Sequence, residues 1–437
     1  MKPLIRIDGI EKVQGKIQVP GDKSISHRAL MLLSIGKGPG KIKGLLKSAD
    51  VLATLRALQA MGIVITEEKD GVLVHGKGLY GLQEPVDVLD LKNSGTTMRL
   101  LSGILAGQPF TSVLTGDDSL RSRPMERIIK PLRKIGANIY GRAGNSKAPL
   151  VILKSSLKGG VYQGVVASAQ VKSSLLLASL YHKDSFTYVE SQRTRDHTER
   201  MMEYLGIPIE VEDNIIKMNR NHPLINSDKE FFNKDLEVPG DISSAAFFIA
   251  LAAGRPGFEI IIENVGINPT RVGILEVFNA MGADITILNE RSLSGEPVGD
   301  IRVRGKTLKN IPISEERIPS LIDELPIIAV IASQAEGDME ISGAGELKVK
   351  ESDRIAAVVE EMGKLGVTIE EKPDGMRIYG GQRILGGSVS SHRDHRIAMS
   401  LVIAGLLSTE GVRLSGEECI DISFPDFFSV IEALRKS

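Results

Sequence analysis

Lys23, Ser24 and Arg28 in GDKSISHRA, Arg121 and Arg123 in DDSLRSRPMER, Arg193 and Arg195 in SQRTRDHTER, Lys348, Lys350 and Arg354 in ELKVKESDRI, and Arg396 in DHRIAM put cations into short motifs. The chain as a whole is balanced, with 54 Lys+Arg against 55 Asp+Glu and a formal charge of −1. A neutral total with clustered cations means local focusing of positive potential, which suits a small polyanion. It argues against a general nucleic-acid or anionic-membrane binder, whose footprint is a basic excess. Lys23, Arg28 and Arg396 lie in or next to the first turn of apolar, helix-like runs. A helix N-terminus already carries about half a positive charge, so a cation there is unfavourable by a few tenths of a kcal/mol or more. N-capping accounts for Ser24, Asn93, Ser94, Ser168, Asp241, Ser243, Ser244, Asp323 and Asp394 at such starts, but not for the cations. A stability rule broken at corresponding places points to function, and exposed N–H groups with Lys and Arg beside them bind multiply charged anions.

Other chemistries find no support. GDKS is not a phosphate-binding loop of the G-x-x-x-x-G-K-[ST] type, because Asp22 separates Gly21 from Lys23. No G-x-G-x-x-G follows a strand to open a helix. The single cysteine, Cys419, excludes an intramolecular disulfide and a cysteine-rich metal site, and the seven histidines show no H-x-x-x-H spacing. The apolar runs, such as Ala245–Ala253, fall well short of the roughly 18–20 residues that span a bilayer. The opening MKPLIRIDGIEK has no apolar core of a secretory signal, so the expectation is a cytoplasmic protein without a structural metal.

These cations must be positioned by repeated elements. An amphipathic helix closed by glycine and followed by β-formers recurs as ADVLATLRALQAMG, ERIIKPLRKIG, TERMMEYLG, TRVGILEVFNAMG and DRIAAVVEEMGKLG, with FPDFFSVIEALRKS as a sixth copy. Its glycines, Gly62, Gly136, Gly206, Gly282 and Gly366, recur at roughly 70–85 residues, a spacing that marks a duplicated unit. A second helix, apolar nearly all round, also occurs six times: SISHRALMLLSIG, SGTTMRLLSGILAG, SAQVKSSLLLASLY, DISSAAFFIALAAG, IDELPIIAVIASQAEG and DHRIAMSLVIAGLL. Such segments predict buried, closely packed helices. IRIDGI, GVLVHG, PLVILK, FEIIIENV, DIRVRG and MRIYG predict strands between them.

The tetrapeptide VPGD occurs at Val19 and again at Val238, almost half the chain apart in a sequence of 437 residues. A chain of that length exceeds one comfortable core, so two domains of three units each are expected.

The motifs GDKSISHRA, KNSGTTMRLLSG, LRSRPM, SAQVKSSLL, TRDHTERM, VPGDISSAAFF, KVKESDRI and DHRIAM together resemble the 5-enolpyruvylshikimate-3-phosphate synthase family, and NSGTT, SAQ and TRDHTER its class II bacterial branch. The resemblance runs from residue 19 to about residue 430 in the family's order. It implies an α/β fold, a two-domain inside-out α/β barrel of six βαβαββ repeats. The first lobe would be residues 21–240 and the second residues 1–20 plus 241–437, with hinges near 19–22 and 238–241 at the two VPGD segments. It also implies enolpyruvyl transfer from phosphoenolpyruvate to shikimate 3-phosphate by addition and elimination, without metal or organic cofactor, in a monomer.

The implied roles are specific. Lys23, Ser24, Arg28, Ser168, Ala169, Gln170, Arg195, Asp323 and Lys350 would bind shikimate 3-phosphate. Lys23, Asn93, Gly95, Thr96, Arg123, Gln170, Arg354, His395 and Arg396 would bind phosphoenolpyruvate. Asp323 would accept the 5-hydroxyl proton beside Lys350, while Lys23 and Glu351 shuttle the proton at the methylene carbon. Plainer roles compete: Glu351 as an ion-pair partner on its helix, Asp323 as a cap, His27 and His392 as structural groups, and Arg121, Arg193 and Lys348 as solvated charges. The family's lysine near the C-terminus is replaced by Ile422, and Leu100 stands where a proline can follow the arginine, leaving glyphosate sensitivity open. The alternative within the same fold, UDP-N-acetylglucosamine enolpyruvyl transfer, goes with Lys-Asn where this chain has Lys23-Ser24 and with a cysteine in a mobile loop.

Overall fold

The structure, a computed structural model, describes residues 4–182, 184–218 and 231–435. Lys436 and Ser437, which close the sixth amphipathic segment, lie outside the described residues. The chain divides into two compact units. The amino-terminal unit is Gly21–Val238 with Ser292–Glu296; the carboxy-terminal unit is Met1–Pro20, Pro239–Arg291 and Pro297–Ser437. Sequence reading assigned Ser292–Glu296 to the second lobe; it groups instead with residues 21–238, where Ser294 Oγ accepts the Glu237 amide at 2.9 Å.

All six apolar segments form buried helices: Lys23–Ile35, Gly95–Ala106, Ala169–Ser179, Ile242–Ala253, Leu325–Ala332 and His395–Leu407. Every residue of Ile242–Ala253 and of His395–Leu407 is buried, which follows from apolar or small side chains on all sides, His395 and Arg396 at the start of the second excepted. The amphipathic segments form Ala49–Ala60, Glu126–Lys134, His197–Tyr204, Gly273–Ala280, Arg354–Lys364 and Phe427–Arg435. The first five stop at glycines with φ between 80° and 98°, a left-handed turn that any side chain would strain.

Among the described residues each unit holds three small sheets. In the amino-terminal unit each sheet begins with a parallel pair, for instance Leu89–Asp90 beside Ser112–Thr115, and is completed by antiparallel strands, here Lys147–Leu153 and Asn138–Gly141. A parallel pair needs a crossover, which helices Gly95–Ala106 and Ala169–Ser179 supply in two of the sheets. In the third, Leu236–Glu237 returns from far along the chain to lie beside Lys37–Lys43. The antiparallel strands need only a short turn. In the carboxy-terminal unit one first strand has shrunk to isolated parallel bridges, Lys309 to Glu336 and Ile313 to Ile341. Another sheet takes its antiparallel strand, Ile5–Ile7, from the start of the chain.

The two VPGD segments have the same structural job. Strand Gln14–Gln18 pairs with Glu259–Gly266 in the carboxy-terminal unit, and the chain then enters helix Lys23–Ile35 of the other unit. Strand Leu236–Glu237 pairs with Lys37–Lys43 in the amino-terminal unit, and the chain then enters helix Ile242–Ala253. Each aspartate caps the helix that follows: Asp22 Oδ1 accepts the Ile25 amide and Asp241 Oδ1 the Ser243 amide, both at 2.9 Å. A Cβ at Gly21 would lie 2.0 Å from the Gly44 carbonyl oxygen, so no larger residue fits there. Each unit has its own apolar core. Among the described residues no helix is long and apolar enough to cross a membrane.

Candidate active site

In the amino-terminal unit the chemistry gathers at the start of helix Gly95–Ala106, which Ser94 caps through the Thr97 amide. A Cβ placed on Gly95 would lie 3.2 Å from Arg123 Nη1 and 3.3 Å from Arg99 Nη1. Two guanidinium groups from separate elements thus converge over a helix N-terminus, where dipole and cations add to favour an anion. Asn93 orients one of them: its Oδ1 accepts from Arg123 Nη2 at 2.5 Å while its Nδ2 donates to Asp117 at 2.8 Å. Gln170 orients the other, accepting from Arg99 Nη1 at 2.6 Å and donating to Thr96 Oγ1 at 3.0 Å. Arg99 was missed from sequence. It lies in SGTTMRLLSGILAG, but one turn into a helix a lone arginine looks like a surface charge.

Lys23 opens its helix 3.4 Å from Asp50. Burial pushes the Asp50 carboxyl up, but Lys23 and His27 outweigh it and hold the group well below the usual carboxylate range. His27 Nδ1 meets Thr54 Oγ1 at 2.7 Å, and the chain of contacts continues through Thr97 to Ser94, which ties the Lys23 helix to the Gly95 helix. Ser168 caps helix Ala169–Ser179 through the Val171 amide at 3.5 Å, which places Ser168, Ala169 and Gln170 together at its start.

Arg28 is buried, and its guanidinium is engaged inside the protein: Nε donates to Thr198 at 2.7 Å, Nη1 to the Ser24 carbonyl and Nη2 to Ser173, both at 2.8 Å. Burial lowers it to about 10, although Glu199 pulls the other way. Arg28 therefore fastens three helices together, a structural duty that the sequence did not disclose. Arg195 sits half-buried in the irregular stretch 191–196.

In the carboxy-terminal unit Arg354 is the centre. It is 2% exposed, the first residue of its helix, and ringed by three carboxylates. Its Nε donates to Asp394 at 2.8 Å, Nη2 to Glu351 at 2.7 Å and Nη1 to Asp323 at 3.3 Å. Burial pushes this guanidinium down, yet Asp394, Glu351 and Asp323 together raise it above its ordinary value. Asp323 lies in the turn Ile322–Glu324, which has no side-chain cap, and its carboxylate also meets Lys350 Nζ at 4.0 Å. Glu351, in the bend before the helix, makes the ion pair with Arg354 that is its plainer role.

Asp394 also caps the next helix through the Arg396 amide at 2.8 Å, so one buried carboxylate holds the Arg354 guanidinium and the backbone from which Arg396 projects. Arg396 Nη1 lies 3.5 Å from Glu324 and 3.4 Å from the Ser243 carbonyl, while Arg271 reaches Asp241 at 3.1 Å and Ser243 Oγ at 2.8 Å. Glu324 and Arg271, absent from the sequence-level set, complete this layer around Arg396. His395 is buried beside them.

The remaining candidates take plainer places. Arg121 pairs with Asp118, Lys348 with Glu371 at 2.9 Å, and Arg193 is exposed 3.9 Å from Asp196. His392 Nε2 meets Glu361 at 2.6 Å. Among the described residues Glu360, Glu361 and His392 form one group with ligand atoms within 4.8 Å of one another, but Lys364 already supplies a positive charge at 2.8 and 2.9 Å from the two glutamates. Ile422 packs against the apolar core, and Cys419 is buried with its thiol pushed up to about 11, chiefly by burial.

Comparison with known proteins gives a consistent picture. Residues 7–431 match the family described as EPSP synthase (3-phosphoshikimate 1-carboxyvinyltransferase). The chain is 52% identical over 425 residues to the 3-phosphoshikimate 1-carboxyvinyltransferase of Alkaliphilus metalliredigens, covering 97% of this chain and 98% of the relative. It is 49% identical to that of Geobacter metallireducens, covering 96% of each. A solved EPSP synthase from Acinetobacter baumannii superposes with a TM-score of 0.87 at 42% identity, over 99% of this chain and 98% of that one. The enolpyruvyl transferase NikO from Streptomyces tendae, 14% identical with a TM-score of 0.78 over 99% of this chain and 97% of that one, shares the fold alone.

Proposed function

The chain belongs to the EPSP synthase (3-phosphoshikimate 1-carboxyvinyltransferase) family, and from that premise we propose that it transfers the enolpyruvyl group of phosphoenolpyruvate to the 5-hydroxyl of shikimate 3-phosphate, the shikimate-pathway step that yields 5-enolpyruvylshikimate 3-phosphate and phosphate. The observation that carries this reading is the convergence of Arg99 and Arg123 over Gly95, a ready receptor for a phosphate that must later leave as an anion.

Lys23, Asn93, Gly95, Thr96, Arg123 and Gln170 hold phosphoenolpyruvate in this reading, and Arg354, Arg396 and His395 hold its carboxylate end. Arg99 supplies the charge that Ile422 withholds. Lys23, Ser24, Arg28, Ser168, Ala169, Gln170, Arg195, Asp323 and Lys350 bind shikimate 3-phosphate. Asp323 takes the 5-hydroxyl proton as that oxygen bonds to C2 of phosphoenolpyruvate, while C3 gains a proton from Lys23 or Glu351. Loss of a proton from C3 then expels phosphate from C2. Fixed cations and amides stabilise the charge developing in both steps without reorganising.

UDP-N-acetylglucosamine enolpyruvyl transfer is not favoured: the relatives carry the other name, and buried Cys419 is no loop nucleophile. Purified protein is expected to release phosphate from phosphoenolpyruvate with shikimate 3-phosphate and none with UDP-N-acetylglucosamine. Silence with the first pair sinks the reading. We take the enzyme to be a cytoplasmic monomer whose VPGD crossings serve as hinges. One-chain mass by light scattering, and a smaller radius of gyration with both substrates bound, are the results expected.

Gly95→Ala tests the anion receptor directly. The added methyl presses on Arg123 and Arg99 at 3.2 and 3.3 Å, and overpacking of this kind costs about 1–3 kcal/mol. If that cost falls on the bound phosphate, KM for phosphoenolpyruvate rises about 10-fold or more, while KM for shikimate 3-phosphate stays near wild type. Equal effects on both substrates count against the assignment.

A further inference from the structure

Lys172 is fully buried. Its ammonium lies 3.0 Å from Glu190 and 2.6 Å from Glu199, with side-chain exposures of 0%, 5% and 4% for the three. Lysine and glutamate are almost never buried unless paired, and a buried ion pair is often no more stabilising than apolar residues of the same volume. The stretch 191–196 beside them has no helix or strand of its own to hold it. Within it Arg193 is exposed, but Thr194 is 7% exposed and is gripped at three points.

Glu190 Oε1 accepts both the Thr194 amide at 3.1 Å and the Thr194 hydroxyl at 2.5 Å, and Lys172 Nζ reaches the Thr194 carbonyl at 3.4 Å. That carbonyl belongs to the planar peptide group whose nitrogen is Arg195, so holding it sets the direction in which Arg195 leaves the backbone. Lys172 also lies two residues beyond Gln170 on the helix that Ser168 begins. One ammonium therefore joins the two stretches offering donors to the same ligand.

We infer that Lys172 and Glu190 form a buried strap on Thr194 that positions Arg195 against the phosphorylated ring acid. They are positioning residues and do not touch substrate. Glu199 holds the strap from the neighbouring helix. The inference rests on the reading that Arg195 binds shikimate 3-phosphate.

The test is steady-state kinetics with each substrate varied in turn, on Glu190→Gln, Thr194→Val, Thr194→Ser and, as reference, Arg195→Ala. Glu190→Gln and Thr194→Val are expected to raise KM for shikimate 3-phosphate about 10-fold. KM for phosphoenolpyruvate and kcat are expected to stay within about 2-fold of wild type, with Thr194→Ser, which keeps the hydroxyl, close to wild type on all three. Thr194→Val is nearly isosteric and leaves no charge unpaired, so it carries the test should Glu190→Gln not fold. A cooperatively melting variant with unchanged KM for shikimate 3-phosphate, or with both KM values and kcat altered alike, overturns the strap. If Arg195→Ala leaves KM for shikimate 3-phosphate unchanged, the underlying site reading fails instead.

Discussion

Asp323→Asn is expected to lower kcat by about 10³-fold, within the span usual for loss of a positioned general base. The carboxamide keeps the volume and an acceptor oxygen for Arg354, which now lies 3.3 Å away, and Arg354 retains Asp394 and Glu351. Folding should therefore survive, and both KM values should stay within about 3-fold, because what is lost is proton acceptance rather than binding. Phosphate release under saturating substrates, with a melting curve alongside, checks this. Activity within 10-fold of wild type, in a folded variant, removes Asp323 from the proton-transfer role.

Asp394→Asn is expected to damage stability and binding together. The carboxylate is fully buried, accepts from Arg354 Nε and from Ser352 Oγ at 3.2 Å, and caps the helix through Arg396. Removing one member of a buried pair costs about 3 kcal/mol at the low end of measured cases, and the two other carboxylates on Arg354 argue for that low end. With both arginines loosened, KM for phosphoenolpyruvate should rise about 100-fold. The pH dependence has a definite sign. Burial pushes the Asp394 carboxyl up, but Arg354 outweighs it and leaves the group below its ordinary value. Its contribution to stability is thus complete above the unfolded value of about 3.9 and is lost as pH falls through the native one. Denaturant titrations should show a gap between wild type and variant at pH 7 that closes towards pH 3. A gap that stays constant across that range contradicts the proposed pairing.

The parts of the fold that could be read from the sequence are those carried by local pattern. Apolar runs such as ISSAAFFIALAA bury every residue, and glycines such as Gly136 stop their helices because they themselves turn left-handed. The anion chemistry was equally visible, since Lys23 and Arg396 stand where helix electrostatics alone disfavours them. The two VPGD segments showed as a repeat, and the family resemblance put the crossings between lobes there; the structure adds that each aspartate caps the helix the chain enters.

What the sequence by itself determined is periodicity, capping and the kind of ligand, because each depends on residues a few positions apart. Only the tertiary structure decided which cations stand over Gly95, that Arg28 binds Thr198 across 170 residues, that Asp394 serves two arginines, and that Lys172 reaches Thr194. Those pairings are set by how buried helices stack, and a buried charge must take whichever partner the packing brings within reach.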